Sequence, residues 1–399
     1  MRKLAALLLA AALCLCACHG GGESQTLEPE TAPPTVPEPT YTEPATTQPP
    51  VTTPPPVTEP VVPETTAPTE PPVTAPPPTE PQPVITEITM TFVGDCTFGT
   101  NQKASYWNSF HSVYDENGPE YFFDGVRHIF EDDDITVINL EGSLTTSDDL
   151  QEKLWNHKGD PKYVEIMTNS SVEVATMGNN HRLDYGQSGC DETMQVLDDA
   201  GIRWCFDENY LIYEVKGVKV GFVSVNEVYD GWKVDGWLKS GHEYLREQGC
   251  AIVVACVHWG GQKTPVLEDR QYDLGKKCID WGYDLVVGNH PHVLQAMQLY
   301  KGRLICYSLG NFCYGGNKNP EDKDSGIFQQ TFTLVDGQLV RDVNAQFIPC
   351  YLSSVQSRND YQPTLAHGAE YQRIIDKMNS YNAEFGFLLD EEGRPVLEE

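Results

Sequence analysis

From Ile85 onward the chain is written in short apolar runs, each closed by a polar tip. Ile88, Met90 and Phe92 alternate with Thr89 and Thr91, the period of a half-buried strand, and the run stops at Gly94-Asp95. Asp134–Leu140 leads into Glu141, and Val172–Met177 leads into Gly178-Asn179-Asn180-His181. Ala251–Val257 is continuously apolar, as a strand covered on both faces must be, and ends at His258. Asp284–Val287 ends in Gly288-Asn289-His290-Pro291-His292. Leu211–Val215 and Val218–Val225, joined by Lys216-Gly217, read as a hairpin. Arg303–Ser308, Gly326–Leu334 and Leu339–Phe347 add late strands, the last pair turning at Asp336-Gly337. Helical spacing predicts helices over Gln187–Asp199, Glu268–Trp281 and Tyr371–Asn382. Strands alternating with helices, then hairpins, predict an α/β fold with mixed sheets.

The first residues follow a different logic. Arg2-Lys3 precedes an apolar stretch from Leu4 to Leu15, then Cys16-Ala17-Cys18, which predicts a secretory signal over residues 1–18. Leu15-Cys16-Ala17-Cys18 resembles a bacterial lipobox with Cys18 as the lipid-bearing residue; an ordinary signal peptide or an uncleaved anchor is the plainer reading. Gln25 to Val84 holds 21 of the 29 prolines and no Lys, Arg, His or Gly, so residues 19–84 are expected to be a disordered stalk. At about 3.1 Å per residue in polyproline II, such a stalk reaches on the order of 100 Å from a membrane. The folded domain is expected over residues 85–355, outside the cytoplasm, followed by a partly helical C-terminal tail, 356–399.

Charge narrows the partners. Beyond Val84 the chain carries 49 acidic against 25 basic residues, which argues against nucleic acid and against docking on anionic lipid. An anionic substrate is repelled unless bound cations reverse the local field. Nine cysteines fall in this part, an odd number with no CxxC, so neither a full disulfide framework nor a zinc ribbon is predicted. Within apolar runs they act as small hydrophobes.

The polar tips carry the chemistry. Singly each has an ordinary reading: Asp95 as a turn residue, Glu141 as a solvated acid, and Asn180 and His181 as caps before Asp184-Tyr185-Gly186. His258 alone would be a core histidine. Five polar tips on five strand ends have no explanation in binary patterning, and together they predict a metal site. Pro291 fixes its own φ and restricts His290, so the two flanking imidazoles are held in a set relation. Carboxylates neutralise cations, imidazoles add directional nitrogen, and an amide oxygen completes the shell without charge. Two ions roughly 3.5–4 Å apart can clamp a phosphate or acyl oxygen, and a histidine beyond the ligands can protonate the leaving group.

Six blocks in order strengthen this reading: Val93-Gly94-Asp95, Asn139-Leu140-Glu141-Gly142, Gly178 through Gly186, His258-Trp259-Gly260, Gly288 through Gln295, and Ser308-Leu309-Gly310-Asn311-Phe312. With them the chain, from Thr91 to about Phe312, resembles the CapA family of poly-γ-glutamate capsule proteins within the calcineurin-like metallophosphatase superfamily. The resemblance implies a four-layer α/β/β/α sandwich with mixed sheets. It also implies that Asp95 and His292 hold a first metal, and Asn180, His258 and His290 a second. Glu141 would stand in place of the bridging aspartate, His181 would be the leaving-group acid, and Asp184 would orient it. One departure is plain: the superfamily's Asp-x-His reads Asp95-Cys96-Thr97, without the first-site histidine. Strand alternation directs Thr97 toward the site and Cys96 into the core.

Lys158 and Arg182 are the cations nearest these motifs in sequence and read as ordinary surface charges. Trp259 reads as packing or a substrate stack, and His157 and His242 have no assignment. The expected function is that of a lipid-anchored surface protein in biosynthesis or export of a capsule (poly-γ-glutamate) or another envelope polymer. It would carry a metal-dependent hydrolase-type site with two divalent transition ions (Mn, Fe or Zn). The implied partners are an anionic polymer or phosphoester substrate and membrane synthase subunits, not nucleic acid. Three alternatives stand beside it: a non-catalytic scaffold of a membrane synthase, an extracytoplasmic phosphoesterase unrelated to capsule, and a cysteine hydrolase built on Cys96 with His181 or His258.

Overall fold

Ile85–Thr97 is the spine of the larger sheet. In this computed structural model, which describes residues 82–397, it pairs antiparallel with Asp324–Val335 and parallel with Ile135–Leu140. Val174–Thr176 and Arg203–Cys205 continue the sheet in parallel beyond Ile135–Leu140. Asn344–Tyr351 and Thr364–Leu365 extend the other side antiparallel, and Asn311–Tyr314 runs parallel to the end of the spine. The signal segment, Cys18 and nearly all of the expected stalk lie outside the described residues.

The second sheet has six strands in the order Met297–Tyr300, Arg303–Cys306, Leu285–Asn289, Ile252–His258, Val218–Asn226, Leu211–Val215. Its four inner strands are parallel and its two edge strands antiparallel. A small third sheet sets His157–Gly159 between Thr100–Asn101 and Ser143–Leu144.

Strand alternation sorts the side chains into layers. Met90, Phe92 and Val137 of the larger sheet share one buried cluster with Phe222, Val254, Cys256 and Val287 of the second. On the larger sheet's outer face, Ile138 and Ala175 pack with Phe110, Ile129 and Leu197 from the helices Phe110–Asn117, Arg127–Glu131 and Gly186–Asp199. On the second sheet's outer face, Val223, Val253 and Val286 meet Leu238 and Leu274 of Lys233–Glu247 and Asp269–Trp281. The result is the four-layer α/β/β/α sandwich with mixed sheets.

The hairpin closes at Lys216 (φ 51°) and Gly217 (φ 75°), the conformation that matches strand twist. One expected strand divides. Leu339 pairs with Leu334 and Asn344 with Thr331, so five steps along one strand meet three along its partner, and two residues are extruded. Leu339–Phe347 is therefore replaced by Gln338–Leu339 and Asn344–Tyr351. Residues beyond 355 join the same body: Ile374, Ile375 and Met378 of the helix Ala369–Asn382 enter the inter-sheet cluster, and Asn382 Oδ1 accepts from the Met297 N–H. Among the described residues, no helix is long and apolar enough to cross a membrane.

Candidate metal centre

The C-terminal ends of parallel strands from both sheets meet at one place. In the larger sheet Asp95 is in register with Asn139 and Asn311; in the second, His258 is in register with Asn226 and Asn289. Open α/β sheets bind ligands at such ends. Close backbone contact lets Asp95 reach this position: a Cβ on Gly94 would lie 2.1 Å from Gly310 O, and the Asp95 N–H donates to that carbonyl at 2.8 Å. His290 (φ 97°) and His292 (φ 58°) both hold positive φ around Pro291. Such conformations cost on the order of 1–3 kcal/mol each and persist only where the surroundings impose them.

Glu141 is fully buried and neither of its carboxylate oxygens has a hydrogen-bond partner. Its Oε1 lies 3.6 Å from His258 Nε2, 3.8 Å from His292 Nε2 and 3.9 Å from His181 Nε2. His258 Nε2 is in turn 2.8 Å from Asn180 Oδ1 and 3.0 Å from His290 Nδ1. Metal–nitrogen bonds of about 2.0–2.1 Å place neighbouring donors roughly 3 Å apart. Glu141, Asn180, His258 and His290 thus have the spacing and chemistry of one ligand set. An unpaired buried carboxylate costs several kcal/mol, and a cation removes that cost. Glu141, His290 and His292 also bring ligand atoms within 4.8 Å of one another.

On the other flank, His292 Nδ1 is 3.1 Å from Asp95 Oδ2 and 2.9 Å from Asn311 Oδ1. Cys96 lies in the core behind the sheet, while Thr97 Oγ1 is buried without a partner. The cysteine-hydrolase reading fails here: burial pushes the Cys96 thiol well above its ordinary value, and its sulfur lies in an apolar cluster with its hydrogen bond to Gly94 O.

Burial raises the Glu141 carboxyl to about 8, with His292 opposing and Asp95 adding to the shift. Burial opposes charge on His292 as well, but Glu141 and the hydrogen-bonded Asp95 outweigh it and hold the imidazole near 9. Burial and the His292 charge drop His290 to about 3; burial and the neighbouring imidazoles push His258 far down. Two imidazoles are thereby kept neutral, the form in which imidazole can bind a metal.

His181 turns Nε2 toward Glu141 and gives Nδ1 to Asp184 Oδ2 at 2.7 Å, which assigns the proton to Nδ1. Burial lowers its pKa, and the Asp184 hydrogen bond works against that. Asp184 also accepts from Lys153 Nζ and, at 2.6 Å, from the His157 N–H; Lys153 donates in addition to Asn180 O. Asn139 Nδ2 donates to Asp95 Oδ1 at 2.8 Å, and Asn311 holds His292 from both its side-chain ends. Sequence reasoning missed the roles of Asn139, Lys153 and Asn311. Two of them sit inside the quoted motif blocks; Lys153 had no signal.

Lys158 bonds Ser147 O and pairs with Asp148, and Arg182 pairs with Asp207 over the Phe206 ring, so both are structural. Trp259 is fully buried, stacked on Tyr307, with its indole N–H on Tyr307 O: a packing residue, not a substrate stack. His242 packs against Tyr283, outside the centre. A cleft of about 780 Å³ opens at the centre, lined in part by Trp155, His157, His181, Lys263, His292 and Tyr314.

Comparison with known proteins agrees with this geometry. The family model described as "Bacterial capsule synthesis protein PGA_cap" matches residues 89–315, more than half of the 399. "Capsule biosynthesis protein CapA" of Bacillus anthracis is 27% identical over 269 residues, 61% of this chain and 63% of that protein. "PGA biosynthesis protein CapA" of Bacillus subtilis (strain 168) is 28% identical over 248 residues, 57% of this chain and 63% of its own length. The match thus spans less than two thirds of either Bacillus protein. A "probable polyglutamine synthesis accessory protein" of Mycobacterium tuberculosis is 23% identical over 255 residues, 56% of this chain and 67% of that one. The family-model match covers all the strand ends that build the centre, and the chain belongs to the CapA (PGA_cap) family of bacterial capsule synthesis proteins, within the metallophosphatase-like superfamily.

Proposed function

We propose that this chain is an exported, lipid-anchored protein of capsule or envelope polymer biosynthesis, related to poly-γ-glutamate, with a metal-dependent hydrolase-type centre. The observation that carries the proposal is the Glu141 carboxylate, buried, without a hydrogen bond, and faced by three imidazoles. Glu141, Asn180, His258 and His290 would hold one divalent transition ion, and Asp95, His292 and Glu141 a second. When bound, such ions supply Lewis-acid polarisation of an ester, amide or phosphoryl oxygen and neutralise its charge. The chain's residues do the rest. Asp184 fixes His181 through Nδ1, leaving Nε2 to move a proton at the leaving group. Lys153 and the His157 N–H occupy the remaining valences of Asp184 and so hold the acid in place. The names of the Bacillus relatives and the lipobox-like Leu15-Cys16-Ala17-Cys18 support the setting.

The test is elemental analysis of the purified chain, followed by complementation of a deletion strain. Wild type should carry a transition metal, and His258→Ala with His290→Ala should lose both the metal and capsule. A metal-free wild type overturns the proposal. Complementation by the double variant would favour a second reading, a non-catalytic accessory subunit, which the name of the M. tuberculosis relative and Thr97 in place of histidine support. Loss of membrane association in Cys18→Ala checks the anchor.

A further inference from the structure

Two polar side chains in the wall of the cleft have no task in the centre as described. His157 is 3% exposed and its Nδ1 is buried without a hydrogen-bond partner. Its ring lies tilted against that of His181, with centroids 4.2 Å apart, and it belongs to the cleft lining. Tyr314 also lines the cleft, its ring 5.0 Å from that of His292 and 6.3 Å from that of His157. Its hydroxyl has no hydrogen-bond partner among the described residues, whereas its backbone carbonyl is taken by Asn359. Buried polar groups are almost always satisfied, so the unpartnered His157 Nδ1 beside a Tyr314 hydroxyl that no protein group uses requires an explanation.

Gly316 keeps this pair open. A Cβ at that position would stand 2.5 Å from Tyr314 Oη and 3.0 Å from His157 Cε1, filling the space over both groups. The three residues come from different elements: His157 from the small sheet, Tyr314 from the end of the strand Asn311–Tyr314, and Gly316 from the loop beyond it. We infer that His157 and Tyr314 form a protein-only subsite that hydrogen-bonds an oxyanion of the substrate, phosphate or carboxylate, lying in the cleft beside the metal centre. The hydroxyl and one imidazole N–H are donors, and an anion oxygen is the acceptor such a pair selects. Donors of this kind hold an anion by directed hydrogen bonds at close range, against the acidic chain's longer-range repulsion. The inference rests on the proposed function only in placing the substrate next to His181.

Inorganic phosphate is the probe, titrated calorimetrically into the full chain after its metal content has been measured. Tyr314→Phe removes a hydroxyl that no protein group uses, so melting temperature and metal content should not change, while phosphate affinity falls roughly three- to tenfold. Gly316→Ala should weaken phosphate at least as much by occupying the space. In the wild type, the His157 ring ¹⁵N signals, assigned by their loss in His157→Asn, should shift on phosphate addition, a response that a merely structural histidine would not give. Unchanged phosphate affinity in Tyr314→Phe together with unmoved His157 signals overturns the inference, as does a wild type that binds no phosphate. The titration is run whatever the metal content, so a metal-free wild type counts against the proposed function alone.

Discussion

Glu141→Gln should stabilise the metal-free protein and weaken its response to metal. The substitution keeps the shape of the side chain and removes a buried carboxylate that accepts no hydrogen bond. Burial raises this carboxyl from 4.5 to about 8, so the folded chain holds a proton that the unfolded chain releases. The sign follows: this contribution to stability is fully present below about pH 4.5 and is lost as pH rises through 8. Each unit is worth about 1.4 kcal/mol, which sets a ceiling of roughly 4–5 kcal/mol above pH 8. His292, held near 9 by Glu141 and Asp95, loses its own contribution over a higher window, from 6.5 through 9, and its pairing with Asp95 survives the substitution. In chelator, the variant should therefore melt several degrees above wild type at pH 8.5, with the difference vanishing near pH 4.5. With metal the order reverses, because each tenfold loss of affinity removes about 1.4 kcal/mol of linked stabilisation. Scanning calorimetry with and without metal at the two pH values measures both effects. A metal-free variant less stable than wild type at pH 8.5, or an undiminished metal-dependent rise, refutes the reasoning.

Protons on Glu141 and His292 near pH 7 must leave when a cation binds, so metal affinity should climb with pH up to about 9. Isothermal titration in two buffers of different ionisation enthalpy measures the release, and no buffer dependence would contradict it. Asn139→Leu removes the donor to Asp95 Oδ1 and should cost about 10–100-fold in metal affinity by chelator competition, without unfolding the domain. Met378→Ala should destabilise by about 2–5 kcal/mol in urea unfolding, since Met378 is fully buried between the sheets; a smaller loss would mean that the C-terminal helix is only loosely attached.

Much of the centre was legible because strand chemistry and site chemistry share an address. Asp95, Glu141, His258 and His290 each end or directly follow an apolar run, and the parallel register that gathers them at one level follows from the α/β pattern. Asn139 and Asn311 stood in the same blocks, but their task depends on which neighbour each faces across the sheet, information absent from one strand alone. Lys153 was illegible for another reason. It lies in an irregular segment with no periodicity, and its meeting with Asp184, 31 residues on, exists only after both loops have folded against each other. The same holds for His157, on a strand of three residues that owes its place to Thr100–Asn101 and Ser143–Leu144. The division of Leu339–Phe347 escaped notice because apolar alternation continues across the extruded residues while the ladder does not.

The two carboxylates of the centre differ in what they already have. Asp95 accepts from Asn139 Nδ2, lies within 3.4 Å of the His290 backbone N–H through both oxygens, and touches His292. Its charge is met by protein donors before any ion arrives. Glu141 has none of these bonds, although it is equally buried. The proposed ligands on the Glu141 side also come from both sheets, since Asn180 follows the strand Val174–Thr176, while His258 ends one strand of the other sheet and His290 directly follows the next. A cation on the Glu141 side would therefore tie the sheets together and neutralise the one carboxylate of the centre that accepts no hydrogen bond. On the Asp95 side, with Thr97 where the superfamily places histidine, a second cation has fewer donors and must compete with hydrogen bonds already formed. The electrostatic demand for a cation thus comes chiefly from Glu141, and of the two proposed ions the one held with Asn180, His258 and His290 should bind first, which titration of the metal-free chain followed by elemental analysis checks.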